Sequence, residues 1–399
     1  MHRMSLVALV FLLIASTQSF SRESVLHSFN PVGGGGTYPS GALLMDRDGN
    51  LYGTTLSGTL FEFTPKASGG WDFNVLCDCS ATYSFGSLVM DSSGNLYAST
   101  FWGEVYQYSH ASGSWTSTRI YQFSGDPGSG PSPLALDASG NLYGTYGAGG
   151  AHNLGFVFQL TPSTGGNWSL NDLHDFNGAD GAVSASGEAE TQLGALVLDA
   201  AGNLYGTADQ GGSSSACPAG CGVLFELTRS SGAWTEKVLH SFTGTDGSNP
   251  DAPLTMDASG NLYGTGAEGG AKGFGVVFKA TLASGKWSVS DLYSFTNAKG
   301  DGAYPNSPLL LGASGNIYGT TESGGGSPSC VVENYNGCGS VFELRKVNGA
   351  YKESVLEGFS GGGSGAFPGG VILGMDGNLY GVAQTGGGDN RGVFFMIPR

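Results

Sequence analysis

The chain has 399 residues, a formal net charge of −16 and only 12% charged residues. It has no basic patch to neutralise phosphates, which argues against nucleic acid or an anionic membrane surface as partners. Hydrophobic residues at 40% and aromatics at 11% exclude disorder, and 71 glycines without a three-residue period exclude collagen.

The N-terminus carries Arg3, an apolar run from Leu6 to Ala15, and then Ser16-Thr17-Gln18-Ser19. A short basic start, an apolar stretch too short to span a bilayer and small residues near a cut form the pattern of a secretory signal peptide. Residues 1–21 are therefore expected to be removed, leaving 22–399 as one domain. A buried strand or helix is the alternative. No cysteine closely follows the apolar run, so no lipoprotein anchor is indicated, and no membrane span is expected.

Next comes Arg22-Glu23-Ser24-Val25-Leu26-His27-Ser28-Phe29, close kin to Lys237-Val238-Leu239-His240-Ser241-Phe242. After it, Gly49-Asn50-Leu51-Tyr52 recurs at Gly94, Gly140, Gly202, Gly260, Gly315 (with Ile317) and Gly377. The seven copies are spaced 45 to 62 residues apart, a period that signals a repeat architecture whose units bury a core only against their neighbours.

Each repeat reads as four short strands. In the first repeat these are Ala42–Asp46, Leu51–Thr55, Leu60–Thr64 and Trp71–Cys77, with a turn at Asp46-Arg47-Asp48-Gly49-Asn50. The later first strands (Ser87–Asp91, Pro133–Asp137, Ala195–Asp199, Pro253–Asp257, Pro308–Leu311, Gly370–Leu373) are near-continuous apolar runs, as expected of strands covered on both faces. Third strands such as Val157-Phe158-Gln159-Leu160 interrupt the run with a polar residue. Fourth strands begin with Trp115, Trp168, Trp234, Trp287 or Tyr351 and end in Phe123, Phe176, Phe242, Phe295 or Phe359.

The seventh repeat stops after its third strand, Val393–Ile397, while the segment Arg22–Phe29 is a fourth strand without a repeat. The first strand of the mature chain can therefore complete the last repeat and close a ring without a large exposed sheet edge. The expected fold is all-β, a seven-bladed β-propeller. A parallel β-helix has no use for such an exchange.

These residues resemble the tandem repeat of the GloVer (Gloeo–Verruco) family of exported bacterial proteins. The matching elements are Asp-x-x-Gly-Asn-Leu-Tyr-Gly-Thr, a Gly-Gly pair such as Gly211-Gly212, the hydrophobic-Phe-x-Leu strand and the Trp-x-x-x-x-Leu-x-x-Phe strand. The resemblance implies a secreted or surface-attached propeller-like protein and no established activity.

Six cysteines in an exported chain favour disulfides. Cys217 with Cys221, and Cys330 with Cys338, are expected to pair within their loops; a zinc site is the alternative. Cys77 and Cys79 point to one face of an extended strand, near the distance limit for a bond.

Propeller geometry gathers the loops after second and fourth strands on one face, where their lengths vary most. Such loops usually carry function. They hold Asp126, Asp180, Glu188, Glu190, Asp209, Asp246, Asp251, Glu268, Asp301, Glu322, Glu333 and Asp389 against only Lys272, Lys299 and Arg391. The reading is a cation site, with Ca2+ the candidate, or a surface for a basic partner; solvated charge is the bland alternative. Asp209, Glu268 and Glu322, which follow second strands of neighbouring blades, are the expected convergent group.

Other constellations weaken on inspection. The Asp46–Asn50 turn lacks the later ligands of a calcium loop. His27, His174 and His240 occupy one position on three separate blades and cannot share a metal. Gly358-Phe359-Ser360-Gly361-Gly362 matches an esterase pattern without the helix that pattern needs. The expected function is a secreted, non-catalytic, monomeric propeller binding an extracellular ligand, glycan or protein. The rivals are a metal-assisted propeller hydrolase, lactonase or lyase, and a structural protein of the cell envelope.

Overall fold

The computed structural model describes residues 23–31, 35–78, 84–111, 113–124, 131–183, 194–298, 300–325, 330–332 and 335–399. The expected signal peptide lies outside them, as do Asp126, Glu188, Glu190, Lys299, Glu333 and Cys79. No helix among the described residues is long and apolar enough to cross a membrane.

The protein is a seven-bladed β-propeller. Blade 1 comprises Pro39–Met45, Leu51–Thr55, Thr59–Pro65 and Trp71–Asp78; blade 2 Ser84–Met90, Leu96–Thr100, Glu104–Ala111 and Ser114–Gln122. Blade 3 comprises Ala135–Leu136, Leu142–Tyr146, Phe156–Pro162 and Trp168–Asp175; blade 4 Val197–Leu198, Leu204–Ala208, Val223–Ser230 and Ala233–Ser241. Blade 5 comprises Thr255–Met256, Leu262–Gly266, Val276–Ala283 and Lys286–Ser294; blade 6 Leu310–Leu311, Ile317–Thr321, Ser340–Val347 and Ala350–Gly358. In each, the four strands pair antiparallel in sequence order.

Blade 7 is built from both ends of the chain. Ile372–Leu373, Leu379–Thr385 and Val393–Ile397 supply three strands, and Ser24–Ser28 pairs antiparallel with Val393–Ile397 as the fourth. The exchange expected from the missing seventh fourth strand is thus present.

The most deeply buried strands are the second ones, not the first. In blades 1 to 6 all five residues of the second strand are buried. The first strands of blades 3 to 7 shrink to two, mostly half-exposed residues. They lie innermost, so one side has no further strand to cover it, whereas second strands are sandwiched between neighbouring sheets.

The repeated residues hold blade to blade. In blades 3 to 6 the phenylalanine that follows the fourth strand meets a third-strand phenylalanine of the next blade. Phe176–Phe225, Phe242–Phe278, Phe295–Phe342 and Phe359–Phe395 lie 5.1 to 5.4 Å apart, tilted or edge-on, a favoured aromatic arrangement. Phe29, on the N-terminal strand of blade 7, meets Phe61 of blade 1 in the same way at 5.1 Å. On the other side of the seam, Trp71 of blade 1 packs against Tyr380 of blade 7, as Trp168 does against Tyr97 and Trp287 against Tyr205. The closing seam therefore uses the same contacts as the internal ones.

The second-strand glycine has a steric cause. A Cβ on Gly206 would lie 2.6 Å from Phe225 Cζ, and one on Gly264 2.6 Å from Phe278 Cζ. Blade 2 has Ala98 here, opposite Tyr106, whose half-buried ring points its hydroxyl to Glu104 at 3.3 Å.

The recurring aspartate is a turn device. Asp91 Oδ1 accepts the Ser93 and Asn95 amides at 2.8 and 2.9 Å, and Oδ2 accepts Asn95 Nδ2 and the Tyr97 hydroxyl at 2.8 and 3.0 Å. Asp46, Asp137, Asp199 and Asp257 repeat this set. Burial alone would raise the Asp91 carboxyl, but these donors outweigh it and hold it below the ordinary range. With its oxygens already engaged, the Asp46 turn is a turn and not a calcium loop. Blade 6 has Gly312 where the aspartate would be, and Glu343 replaces it from the third strand, accepting Asn316 Nδ2 at 2.7 Å and the Tyr318 hydroxyl at 2.8 Å.

Candidate functional site at the loop face

The chain reaches the axis of several blades through one device: a residue with positive φ followed by proline. Tyr38, Asn249, Tyr304 and Phe367 have φ of 60, 50, 58 and 57°, and Pro39, Pro250, Pro305 and Pro368 follow. This backbone is costly for residues other than glycine and persists only where surroundings over-determine it. Hydrogen bonds on both sides do so here. Asn249 donates its amide to Cys221 O of blade 4 at 3.2 Å, and its carbonyl accepts Ala267 N of blade 5 at 3.1 Å. Tyr304 makes the equivalent pair with Phe274 O and Glu322 N at 2.9 and 3.0 Å. The next residue, proline, packs on a glycine of the preceding blade; a Cβ on Gly222 would meet Pro250 Cδ at 2.5 Å, and one on Gly392 would meet Pro39 Cδ at 2.3 Å.

Both expected disulfides are formed, Cys217–Cys221 and Cys330–Cys338, with Cα atoms 5.1 and 5.5 Å apart. They brace these seams: Cys221 O receives Asn249 N, and Cys338 O receives Phe367 N at 3.0 Å. The pairing of Cys77 with Cys79 falls outside the described residues.

The residue after Pro250 is Asp251. Protein encloses its carboxyl, only part of the residue's surface reaches solvent, and Oδ1 has no hydrogen-bond partner. Burial raises this carboxyl well above the ordinary carboxylate range. The charge of Asp209 raises it further, its own backbone N–H offsets part of the rise, and Glu322 and Glu268 add smaller increments. Asp209 and Glu322 directly follow the second strands of blades 4 and 6, and Glu268 lies two residues past that of blade 5. The charges of the three carboxylates singled out from sequence therefore all reach a fourth carboxyl, Asp251, but no three of these four acids bring ligand atoms within 4.8 Å of one another. The signal for Asp251 was available: blades 1 and 6 have uncharged Ser40 and Asn306 after the same proline, and blade 5 has an aspartate.

Two of the other loop-face charges are engaged. Asp246 contacts His240 at 2.8 Å, and Arg391 stacks over the Tyr38 ring at 5.0 Å. His27, His174 and His240 do sit on separate blades; burial lowers His27, whose ring stacks on Phe73 at 4.1 Å. Ser360 of the esterase-like pattern is exposed and shares a hydrogen bond with Ser364 at 2.9 Å, on a short 3-10 turn, Gly362–Ser364. A groove of about 220 Å³ lined by Lys66, Trp71, Met375 and Tyr380 lies on the opposite face, remote from the carboxylates.

Among solved structures, the chain is similar to the extracellular domain of BT3049 from B. thetaiotaomicron, named as a hybrid two-component system. Identity is 12% and the TM-score 0.55; the match covers 91% of this chain but only 39% of that one. It is also similar to the Cps50 (Swd1) β-propeller domain from Myceliophteria thermophila, at 11% identity and TM-score 0.53, covering 95% of this chain and all of the other. The gluconolactonase XC5397 from Xanthomonas campestris matches at 15% identity and TM-score 0.46, covering 74% and 85%. At these identities the first two likenesses speak for the fold alone. No curated protein matches. The profile of the Gloeobacter/Verrucomicrobia repeat matches three overlapping stretches, residues 57–216, 99–332 and 192–399. Together these reach from blade 1 to the last residue, and the chain belongs to the Gloeobacter/Verrucomicrobia repeat family.

Proposed function

We propose that the protein is an exported binding propeller whose loop face takes up calcium around Asp251 and uses that ion to hold an extracellular ligand, a glycan or a protein surface. The observation that carries this reading is the enclosed Asp251 carboxyl, one oxygen of which has no hydrogen-bond partner, under the charges of Asp209, Glu322 and Glu268. Such a group must either keep a proton or recruit a cation, and a hard divalent ion takes its ligands from carboxylate and carbonyl oxygens. The N-terminal apolar pattern and the two disulfides support export.

A ligand that binds only the folded state raises melting temperature by mass action. Melting is followed in millimolar calcium and in chelator for the wild type, Asp251→Asn and the triple variant D209N/E268Q/E322Q. Calcium should raise the wild-type melting temperature, more at pH 8 than at pH 6 because the ion competes with a proton, and should leave both variants unmoved. Absence of a wild-type shift, or an equal shift in all three, sinks the reading. Turnover of lactones by the calcium-loaded wild type, lost in Asp251→Asn, would favour the hydrolase alternative instead.

A further inference from the structure

Three consecutive outer seams, from blade 3 to blade 6, repeat one arrangement. The residue two before the terminal phenylalanine of a fourth strand faces an acidic residue from the following loop. These pairs are His174 with Asp180, His240 with Asp246, and Tyr293 with Asp301. The fourth strand of the next blade closes the seam.

Between blades 4 and 5 this is an ordinary histidine–aspartate pair. His240 Nε2 lies 2.8 Å from Asp246 Oδ2 in a hydrogen bond, and the next blade presents Val289 six residues before its terminal phenylalanine. Between blades 3 and 4 the same position is Glu236, and the pair has changed. His174 Nε2 stands 3.3 Å from Asp180 Oδ2, is buried and makes no hydrogen bond. Glu236 Oε1 is likewise buried and makes none. One ligand atom from each of His174, Asp180 and Glu236 lies within 4.8 Å of the other two.

Asp180 is already oriented. Asn177 donates its amide to Oδ1 at 2.8 Å and its Nδ2 to Oδ2 at 2.5 Å, and the His174 ring is fixed edge-on against Phe176 at 5.3 Å. The seam is half-buried, and among the described residues no lysine or arginine forms an ion pair with Asp180 or Glu236. A tetrahedral zinc ion about 2.0–2.1 Å from each ligand needs ligand atoms about 3.4 Å apart. His174 and Asp180 already have that spacing, and Glu236 needs only a side-chain adjustment to reach it.

We infer that the seam between blades 3 and 4 is a zinc-type transition-metal site, with His174 Nε2, Asp180 and Glu236 as ligands and the fourth position left to water. The ion would staple blade 4 to the loop leaving blade 3. This site is separate from the Asp251 carboxyl, and neither depends on the other.

The test uses untagged, chelator-treated protein titrated with Co2+ and read by the visible absorption of four-coordinate cobalt, with Zn2+ as competitor. The wild type should take up one equivalent with that spectrum, and zinc should displace it. Glu236→Val, which copies the neighbouring seam, and His174→Gln should each weaken binding by about 100-fold or more, since each removes a direct ligand. His240→Gln, at the equivalent position of the neighbouring seam, should bind as the wild type does. A wild type that takes up no cobalt, unchanged binding in Glu236→Val, or loss of binding in His240→Gln would each overturn the assignment. If either seam variant fails to fold, the wild type decides alone: the His174 ring nitrogen resonance must move on zinc addition, and a stationary resonance overturns the site.

Discussion

Glu353 in the seam between blades 5 and 6 should make the propeller less stable as pH rises, and Glu353→Gln should remove that loss. The side chain lies within electrostatic reach of Tyr293 and Asp301, and its Oε1 is buried without a hydrogen-bond partner. Burial first, and then the charge of Asp301, push its carboxyl from 4.5 up to about 8. Below pH 4.5 both folded and unfolded chains are protonated and no penalty exists. Between 4.5 and about 8 the unfolded chain gives up its proton while the folded chain keeps it, so stability falls as pH rises; above 8 the deficit is constant. At about 1.4 kcal/mol per pH unit the upper bound is about 5 kcal/mol, and residual solvent access reduces the expected value to about 1–3 kcal/mol. Gln has the same shape and no charge. Urea unfolding of both proteins at pH 5, 7 and 9 should give near-equal stabilities at pH 5, with the variant ahead by about 1–3 kcal/mol at pH 9. An equal gap at pH 5 and pH 9 would refute the reasoning, because a titrating group cannot produce it.

Removing residues 22–30 should leave the Val393–Ile397 edge open and delete Phe29 from its contact with Phe61; light scattering should find association and calorimetry a lower melting temperature. An unchanged monomer with an unchanged melting temperature contradicts closure by this strand. Gly206→Ala should cost about 1–3 kcal/mol by overpacking against Phe225 and Leu196, and Phe225→Leu in the same chain should recover part of it in urea unfolding. The double variant C217S/C221S should lose at most about 2 kcal/mol, the entropy of a very short loop. Its calcium-dependent melting shift should nevertheless shrink, because Cys221 O anchors Asn249 two residues from Asp251.

The sequence by itself determined the blade count, the strand order and the closure. All three rest on local chemistry repeated along the chain: the Asp-x-x-Gly-Asn turn, the strand-ending phenylalanine, and a last repeat lacking the fourth strand that residues 22–29 supply. Each signal lies within a few residues of the element it specifies. The local disulfides were legible for the same reason.

Tertiary structure decided what happens between blades. Asp251 reads like any loop acid until blade docking encloses it and brings it under the charges of Asp209, Glu322 and Glu268. Glu343 takes over from a missing aspartate only because the third strand's register places it beside Tyr318. His174 and Glu236 read as ordinary strand residues in their own blades and meet only across a seam. The same docking moved the most buried strand from first to second, since burial depends on which strand is sandwiched by its neighbours and not on how apolar a run is. Repetition writes the scaffold into the sequence locally, whereas the charges that distinguish this propeller converge through contacts between repeats, which no single repeat encodes.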